Sequence, residues 1–511
     1  MERAEIAPPP VHRLLEVGTA GLTVLVSSAP VWAALLAPEL WTLAFALFTV
    51  YWLYCSSSVV LYGLIGYLRI RQTQRRDWVA ALEQYPSWRQ MHHLVAIPIC
   101  GEPLPLLGES LAALAQQTFP TDQVTVLLAF EARDAAAARK AAQLRERFQH
   151  SFAAILATSH RLRPGAVPGK GSNLSHAVPI AQQALAERGL EPDQVLVTIC
   201  DADSRLDPNY LAAVTYRYLA APSGDRCIFQ PAMLFYANRD RLPVWARVVD
   251  GLYSVLQLAR LAPTYKLVSL STYSLSLAAL QRTGYWDVDV VAEDSHMFFK
   301  FFFRHQGQVT PTPIYLPVWA DAAEGANVWE TAWSHYRQAR RWAWGVSDVP
   351  YVAWQALTGR GLSLRARLSR PFHYTLGHLL WPAHWFLLLG GLKIVREAHP
   401  AVALSANGRE LANLSSALLT ATLPCLLGVI ALDYALQRLH SRGTTLPDLA
   451  ALPIWFLLPL VGFLLNVLPA IEAHLRLLLG RPLEYEVTQK LTAVPSLSPV
   501  PTRALPDRRV V

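Results

Sequence analysis

The stretch Val195–Ser204, VLVTICDADS, decides the fold class of this 511-residue chain. Its apolar part, Val195–Ile199, predicts a buried strand that ends directly before an acidic turn. Two earlier apolar runs, Leu94–Ile99 and Val124–Ala129, predict further strands, with helical stretches between the predicted strands. Strands that alternate with helices predict an α/β domain, and an open sheet of this kind binds its ligand at the carboxyl ends of its strands.

The acidic turn holds Asp201 and Asp203, which are one residue apart. Two carboxylates at the end of a buried strand can face the same side and hold a hard divalent cation together with diphosphate oxygens. A D-x-D pair taken alone is equally typical of an ordinary polar turn. Its interpretation therefore depends on the motifs around it.

The segment Gly169–Asn173, GKGSN, places Lys170 between two glycines, before a helix that we expect to begin near Leu174. Such a lysine neutralises a phosphate while nearby backbone amides donate to it. The alternative is an ordinary loop lysine.

Glu293 and Asp294 end another apolar run and open an aromatic helix over Met297–Phe303. A carboxylate at this position either caps the helix or takes part in chemistry. In the second case Asp294 would be the general base that removes a proton from an acceptor hydroxyl.

The fourth motif, Gln338–Trp342, reads QARRW in a helical stretch rich in arginine and tryptophan. Arginine stabilises a departing diphosphate, and the face of a tryptophan can carry a sugar ring. A basic amphipathic helix on a membrane surface has the same composition. We expect both descriptions to apply.

The composition, 53% hydrophobic and 16% charged, is too apolar for three soluble domains and excludes a disordered or nucleic-acid-binding chain. The net charge of +8 fits an anionic membrane surface or an anionic substrate. Apolar runs long enough to span a bilayer occupy Val17–Ala37, Leu40–Leu68, His373–Val395, Leu414–Leu436 and Leu449–Ile471.

These runs predict four parts: a pair of transmembrane helices at 1–68, a cytoplasmic domain with interface helices at 69–370, transmembrane helices at 371–480 and a disordered tail within 481–511. The arginines after residue 68 place the domain in the cytoplasm. Three later spans would leave the C-terminus outside, whereas the basic tail favours the inside. Either one apolar segment is re-entrant or broken, with Pro459 and Pro469 as candidate break points, or there is a further span.

The order of D-x-D, E-D and Q-x-x-R-W, between apolar segments, resembles the family 2 glycosyltransferases of the GT-A fold, particularly the cellulose and hyaluronan synthase branch. The resemblance covers about residues 90–345. It implies a cytoplasmic GT-A domain with a Rossmann-like mixed sheet, flanked by transmembrane α-helices.

The resemblance also implies residue roles. Asp201 and Asp203 would bind Mg²⁺ or Mn²⁺ together with the donor diphosphate, and Lys170 and Arg341 would contact that diphosphate. A nucleotide sugar, with a UDP-sugar as the first candidate, would be the donor.

On the acceptor side, the resemblance makes Asp294 the catalytic base and Glu293 its neighbour. Gln338 and Trp342 would hold the end of the acceptor. The family's usual acceptor segment is replaced here by Ser269–Ser274, SLSTYS, so we expect an unusual acceptor.

Two further positions are assigned to the donor. The segment Phe130–Asp134, FEARD, stands where the family has an aspartate pair, which makes Glu131 the candidate nucleotide contact. The segment Tyr485–Lys490, YEVTQK, is similar to the F-x-V-T-x-K gating loop of bacterial cellulose synthases. That likeness implies that Lys490 contacts the donor and that the tail is cytoplasmic.

We therefore predict a membrane-bound inverting glycosyltransferase of the bacterial inner membrane that builds a polysaccharide processively and exports it. Transfer of a single sugar to a membrane lipid is the second enzymatic hypothesis, because Q-x-x-R-W also occurs in ceramide glucosyltransferases. An inactive scaffold of an envelope-polysaccharide complex is the hypothesis outside enzymology. No nucleic-acid partner is expected, and the oligomeric state stays open.

Overall fold

The computed structural model describes residues 8–444 and 448–483. The YEVTQK segment with Lys490, and the predicted disordered tail, lie outside the described residues. The described part of the chain opens with three apolar helices, α1 (Pro9–Ser27), α2 (Ala29–Leu36) and α3 (Pro38–Gln74).

A mixed eight-stranded sheet follows, in the order β3-β2-β1-β4-β7-β6-β8-β5. Strands β1 to β4 run parallel, whereas β7 is antiparallel to both β4 and β6. The predicted α/β class with a mixed sheet is confirmed. The strands are β1 (His92–Ile99), β2 (Val124–Glu131), β3 (Ala154–His160), β4 (Val195–Ile199), β5 (Arg205–Leu206), β6 (Cys227–Leu234), β7 (Tyr273–Ser276) and β8 (Thr310–Trp319).

Helices cover the sheet and connect its strands. The predicted helix at Leu174 begins earlier, at Lys170, and the apolar run before Glu293 forms no strand. These helices are α4 (Trp78–Leu82), α5 (Leu104–Leu114), α6 (Ala137–Phe148), α7 (Lys170–Ala186), α8 (Tyr210–Ala220), α9 (Val244–Arg260), α10 (Leu277–Thr283), α11 (Glu293–Arg304), α12 (Val328–Ala343) and α13 (Val349–Thr358).

Both faces of β1, β2 and β4 are buried, which explains why these three strands read as continuous apolar runs. Alternate residues of β1 point to opposite faces. Val95 lies in the core that includes Leu111 of α5, whereas Leu94 lies in the core with Leu174 of α7 and Phe298 of α11. The carboxyl ends of the strands are therefore held between two dry layers.

The C-terminal part is helical. Four helical segments of the described chain are long and apolar enough to cross a membrane: Pro38–Gln74, Leu364–Ala398, Ala406–His440 and Leu452–Leu478. The helices are α14 (Leu364–Leu368), α15 (Arg370–Gly390), α16 (Lys393–Ala398), α17 (Pro400–Ala403), α18 (Ala406–Thr420), α19 (Leu423–His440), α20 (Leu452–Gly462) and α21 (Leu468–Leu478).

The sharp break in an apolar segment lies at Ser28, not at Pro459 or Pro469. Helices α1 and α2 meet there at an angle of 65°, as in a broken span or a re-entrant loop. Pro30, in the first turn of α2, has no N–H to continue the helix. Around Pro459 the chain continues instead through a π-helical turn at Phe463–Val467.

Helix α9 contacts both the sheet and the apolar helices, and it packs against α19 beside a buried polar cluster. Asp433 of α19 is buried, and its carboxylate accepts hydrogen bonds from Tyr236 Oη at 2.8 Å and Gln437 Nε2 at 2.7 Å. Gly251 of α9 faces this carboxylate, and a Cβ there would lie 2.8 Å from Asp433 Cγ. The absence of a side chain at Gly251 thus permits the approach.

Gly251→Ala should destabilise the protein by about 1–3 kcal/mol, because the added methyl group displaces a buried, hydrogen-bonded carboxylate. Thermal unfolding of the detergent-solubilised protein measures the change. Gly377→Ala is the matched control, since a Cβ at Gly377 of α15 meets nothing within 4 Å. Equal unfolding temperatures for the two variants would contradict this account of the contact.

Candidate active site

The D-x-D motif follows β4, and the antiparallel neighbour β7 determines what lies beside it. Ile199 pairs with Tyr273, so the segment that enters β7 runs next to the acidic turn. The Ser271 hydroxyl donates to Asp201 Oδ2. The SLSTYS segment thus lines the site, although its sequence carries no family motif.

Lys170 is the charged centre of the site. Its Nζ lies 2.6 Å from Asp201 Oδ1 and 3.3 Å from Glu293 Oε1, and it donates to the Ser271 carbonyl at 3.0 Å. Gly171 lets the start of α7 approach α11, since a Cβ there would lie 3.1 Å from Glu293 Cβ. The second glycine of GKGSN therefore serves helix packing.

Asp294 is held by backbone amides. Its Oδ2 accepts from the Ser271 N–H at 2.8 Å and its Oδ1 from the Ser295 N–H at 2.7 Å. Ser271 has a φ of +57°, a conformation that costs a non-glycine residue energy and clusters at functional sites. Ser271 thereby connects the D-x-D carboxylate to the E-D carboxylate, a role that no sequence motif indicated.

Burial and neighbouring charges shift the pKa values of the ionisable groups in this cluster. Burial by itself lowers the pKa of Lys170, but the negative charges of Asp201 and Glu293 outweigh it and raise that pKa above its ordinary value. Burial raises the pKa of Glu293 to about 7 and also raises the pKa of Asp294, while Lys170 opposes both increases. Three carboxyl groups thus surround one ammonium, and a further bound cation would favour their ionised forms.

The residues fit a hard divalent cation. Asp201 is partly exposed and Asp203 is buried, and both offer carboxylate oxygens, the donors that Mg²⁺ and Mn²⁺ prefer. Among residues 8–444 and 448–483, no group of three or more His, Cys, Asp and Glu side chains is arranged to hold a metal ion. Oxygens of a bound diphosphate would therefore have to complete the coordination.

Helix α11, which carries Glu293 and Asp294, is held by ion pairs of its buried His296 and Lys300. His296 lies 2.9 Å from Asp287 and 3.0 Å from Asp348, and Lys300 Nζ lies 2.7 Å from Asp287. Burial lowers the pKa of His296, but Asp348 and Asp287 raise it to about 9. A protonated His296 thus links α11 to the residues after the Q-x-x-R-W helix.

The Q-x-x-R-W helix, α12, is joined to the last apolar segment. Arg340 and Tyr336 both donate to Glu472 of α21, at 2.8 and 2.9 Å. Trp342 lies edge-on to Tyr253 of α9, with 5.1 Å between ring centroids. The predicted helix is confirmed, and Gln338 is buried on it while Arg341 is half-buried.

Glu131 lies at the end of β2, at the same edge of the sheet. Its Oε2 is 2.7 Å from Arg133 Nε. A nucleotide contact by Glu131 would therefore involve the pair rather than a lone carboxylate.

The raised pKa of Glu293 predicts a pH-dependent stability. The folded protein binds this proton more tightly than the unfolded chain, whose carboxyl has the ordinary pKa of 4.5. Stability therefore falls as pH rises from 4.5 to about 7. Glu293→Gln removes this titration, so its unfolding temperature should rise relative to wild type across that window and level off above it. The control is Asp289→Asn, at an exposed site nearby, whose unfolding temperature should differ from that of wild type by the same amount at every pH. A pH-independent difference for Glu293→Gln as well would contradict the raised pKa of Glu293.

Two solved structures that resemble this chain are remote from it in sequence. The mannosyltransferase PcManGT from Pyrobaculum calidifontis, in complex with GDP-Man and Mn²⁺, is 19% identical with a TM-score of 0.42, over 75% of this chain and 98% of that one. S. aureus TarS 1–349 is 13% identical with a TM-score of 0.32, over 76% of this chain and 92% of that one. No curated protein matches the sequence.

A family model decides the assignment. The model described as glycosyl transferase family group 2 matches residues 196–468, more than half of the chain. The match begins within β4 and includes the D-x-D, E-D and Q-x-x-R-W motifs, and the mixed sheet agrees with the expected GT-A fold. The chain belongs to glycosyl transferase family group 2 and is a glycosyltransferase.

Proposed function

We propose that this protein is a multi-pass membrane glycosyltransferase of the cellulose and hyaluronan synthase branch. It moves a sugar, with inversion, from a nucleotide sugar to a growing polysaccharide and couples synthesis to export. The observation that carries the proposal is the convergence of Lys170, Asp201 and Asp294 on Ser271. A donor-binding carboxylate and a candidate base are thus within reach of one substrate.

In the proposed reaction, Asp294 removes the proton of an acceptor hydroxyl. The oxygen forms a bond to the anomeric carbon while the bond from that carbon to the diphosphate breaks, so the configuration inverts without a covalent enzyme intermediate. A raised pKa makes Asp294 a stronger base, and the two amides that contact it fix its orientation.

The charge that develops on the leaving nucleoside diphosphate needs stabilisation. Lys170 and Arg341 are the proposed protein groups for this role, with Lys490 as a third from the gating-loop likeness. Mg²⁺ or Mn²⁺, when held by Asp201 and Asp203, supplies Lewis-acid stabilisation of the same charge.

The acceptor is proposed to lie near Gln338 and Trp342. Because Glu472 ties α12 to an apolar segment, this helix adjoins the membrane-type helices, as a polymer moving toward a channel would require. The same arrangement suits a membrane lipid, so transfer of one sugar to a lipid is the second candidate. The domain limits 69–370, the cytoplasmic side and the bacterial inner membrane remain part of the proposal.

Asp294→Asn should lower kcat by roughly 100-fold or more, because the amide cannot accept the acceptor proton. The purified protein, reconstituted in lipid nanodiscs, is incubated with a panel of radiolabelled nucleotide sugars and Mg²⁺ or Mn²⁺. A long, enzyme-digestible polymer that the variant fails to make supports the synthase. A labelled product that enters organic solvent supports the lipid acceptor instead.

Asp289→Asn is the matched control for this experiment, since Asp289 is exposed and lies five residues before Asp294. It makes the same chemical change outside the cluster and should retain wild-type turnover. If Asp294→Asn retained the turnover of this control, Asp294 could not be the base.

A further inference from the structure

A cavity lies beside β5, the short strand that follows the acidic turn. It has a volume of about 1050 Å³ and forms where the ends of α3 and α19 meet β5 and α5. We call it the arginine cavity, after Arg71 of α3 and Arg438 and Arg442 at the end of α19, all of which line it. None of the predicted site residues is among the described residues that line it.

The three arginines are available to a ligand. Arg71 donates to Tyr67 Oη at 3.2 Å and Arg438 to the Gly443 carbonyl at 3.3 Å, and both acceptors are neutral. Within the part of the chain that the structure describes, no carboxylate forms an ion pair with Arg71, Arg438 or Arg442. The cavity therefore presents three unneutralised positive charges.

The other charged lining residues are already satisfied. Arg205 is paired with Glu109 and Asp321. Asp207, the single carboxylate among the described lining residues, is buried and accepts hydrogen bonds from Gln74 Nε2 and the Asn209 N–H. Among the described lining residues, four arginines stand against this one carboxylate, so the net charge of the lining is positive and favours an anion.

The position of the cavity indicates what kind of anion fits. Arg71 and Arg438 lie in the last turns of two helices that are long and apolar enough to span a membrane, which is the level of lipid headgroups. Tyr67, Tyr434 and Trp319 also line the cavity, and amphipathic aromatic rings are typical of that level. Guanidinium groups bind phosphate oxygens by paired, charge-assisted hydrogen bonds.

We propose that the arginine cavity is a binding site for a phosphate-bearing anion, held by Arg71, Arg438 and Arg442. The phosphate of an anionic lipid headgroup and free phosphate share this chemistry. The proposal rests on the membrane placement proposed above, but its test uses neither donor nor acceptor. Failure of the site and failure of the transfer reaction are therefore distinguishable.

The test compares three full-length proteins in a neutral detergent: wild type, the cavity variant Arg71→Gln/Arg438→Gln/Arg442→Gln, and a control, Arg75→Gln/Arg139→Gln/Arg188→Gln. The three control arginines are exposed and lie outside the cavity, and their substitution removes the same amount of charge. Arg75 lies at the same end of α3 as Arg71. The unfolding temperature is followed during titration with dioleoylphosphatidylglycerol, dioleoylphosphatidylcholine or inorganic phosphate.

Phosphatidylglycerol should stabilise wild type and the control alike, with a midpoint at least about tenfold weaker for the cavity variant. An arginine-dependent effect of the lipid but not of inorganic phosphate identifies a headgroup site, and the same effect of inorganic phosphate identifies a soluble phosphate. Equal responses of the cavity and control variants would show unspecific charge attraction and overturn the proposal. No response of wild type to either anion, or an equal response to phosphatidylcholine, would also overturn it.

A further variant, Arg71→Lys/Arg438→Lys/Arg442→Lys, separates the contribution of positive charge to anion binding from that of guanidinium geometry. It keeps the positive charge and loses the paired guanidinium geometry. Its midpoint for the anion should lie between those of wild type and the glutamine variant. A midpoint equal to that of the glutamine variant, with unchanged unfolding in the absence of anion, would show that the anion requires the paired guanidinium geometry and that positive charge alone does not hold it.

Discussion

The ammonium group of Lys170 is the contact on which the site depends. Without it, Asp201, Glu293 and Asp294 would stand close together in a largely buried place, and a buried charge without a partner is strongly unfavourable. Lys170 Nζ lies 2.6 Å from Asp201 Oδ1, so the ammonium directly offsets the negative charge of this D-x-D carboxylate. It also holds the starts of α7 and α11 against the end of β4, so the three motifs share one position in space.

Polar side chains, rather than apolar ones alone, connect the glycosyltransferase domain to the apolar helices. Glu472 accepts from Arg340 of the Q-x-x-R-W helix, and Asp433 accepts from Tyr236, which follows β6. Such contacts are directional, because each requires a defined distance and angle. They therefore fix the orientation of α12 relative to α21, and of the segment after β6 relative to α19, which apolar packing by itself would leave freer.

The sequence predicted that β1, β2 and β4 are strands and that α12 is a helix, because buried strands and amphipathic helices have distinct periodicities. The role of Ser271 was not predicted, because a serine in a loop belongs to no recognisable sequence pattern. Only the antiparallel pairing of β7 with β4 places it beside Asp201. The break at Ser28 was not predicted either. Several apolar segments contain prolines, and the sequence does not show which proline marks a break. Asp348 contacts His296, which lies 52 residues earlier in the chain. Local sequence patterns do not predict contacts over such a separation.

The sequence by itself determined the α/β class, the apolar segments on either side and the residue types of the motifs, because each depends on neighbouring residues or on composition. The tertiary structure alone decided that Lys170 lies between Asp201 and Glu293, and that Arg71 and Arg438, far apart in the chain, line one cavity. Distances between remote residues depend on strand order and helix packing. These arise from the sum of many weak contacts, which no single motif encodes.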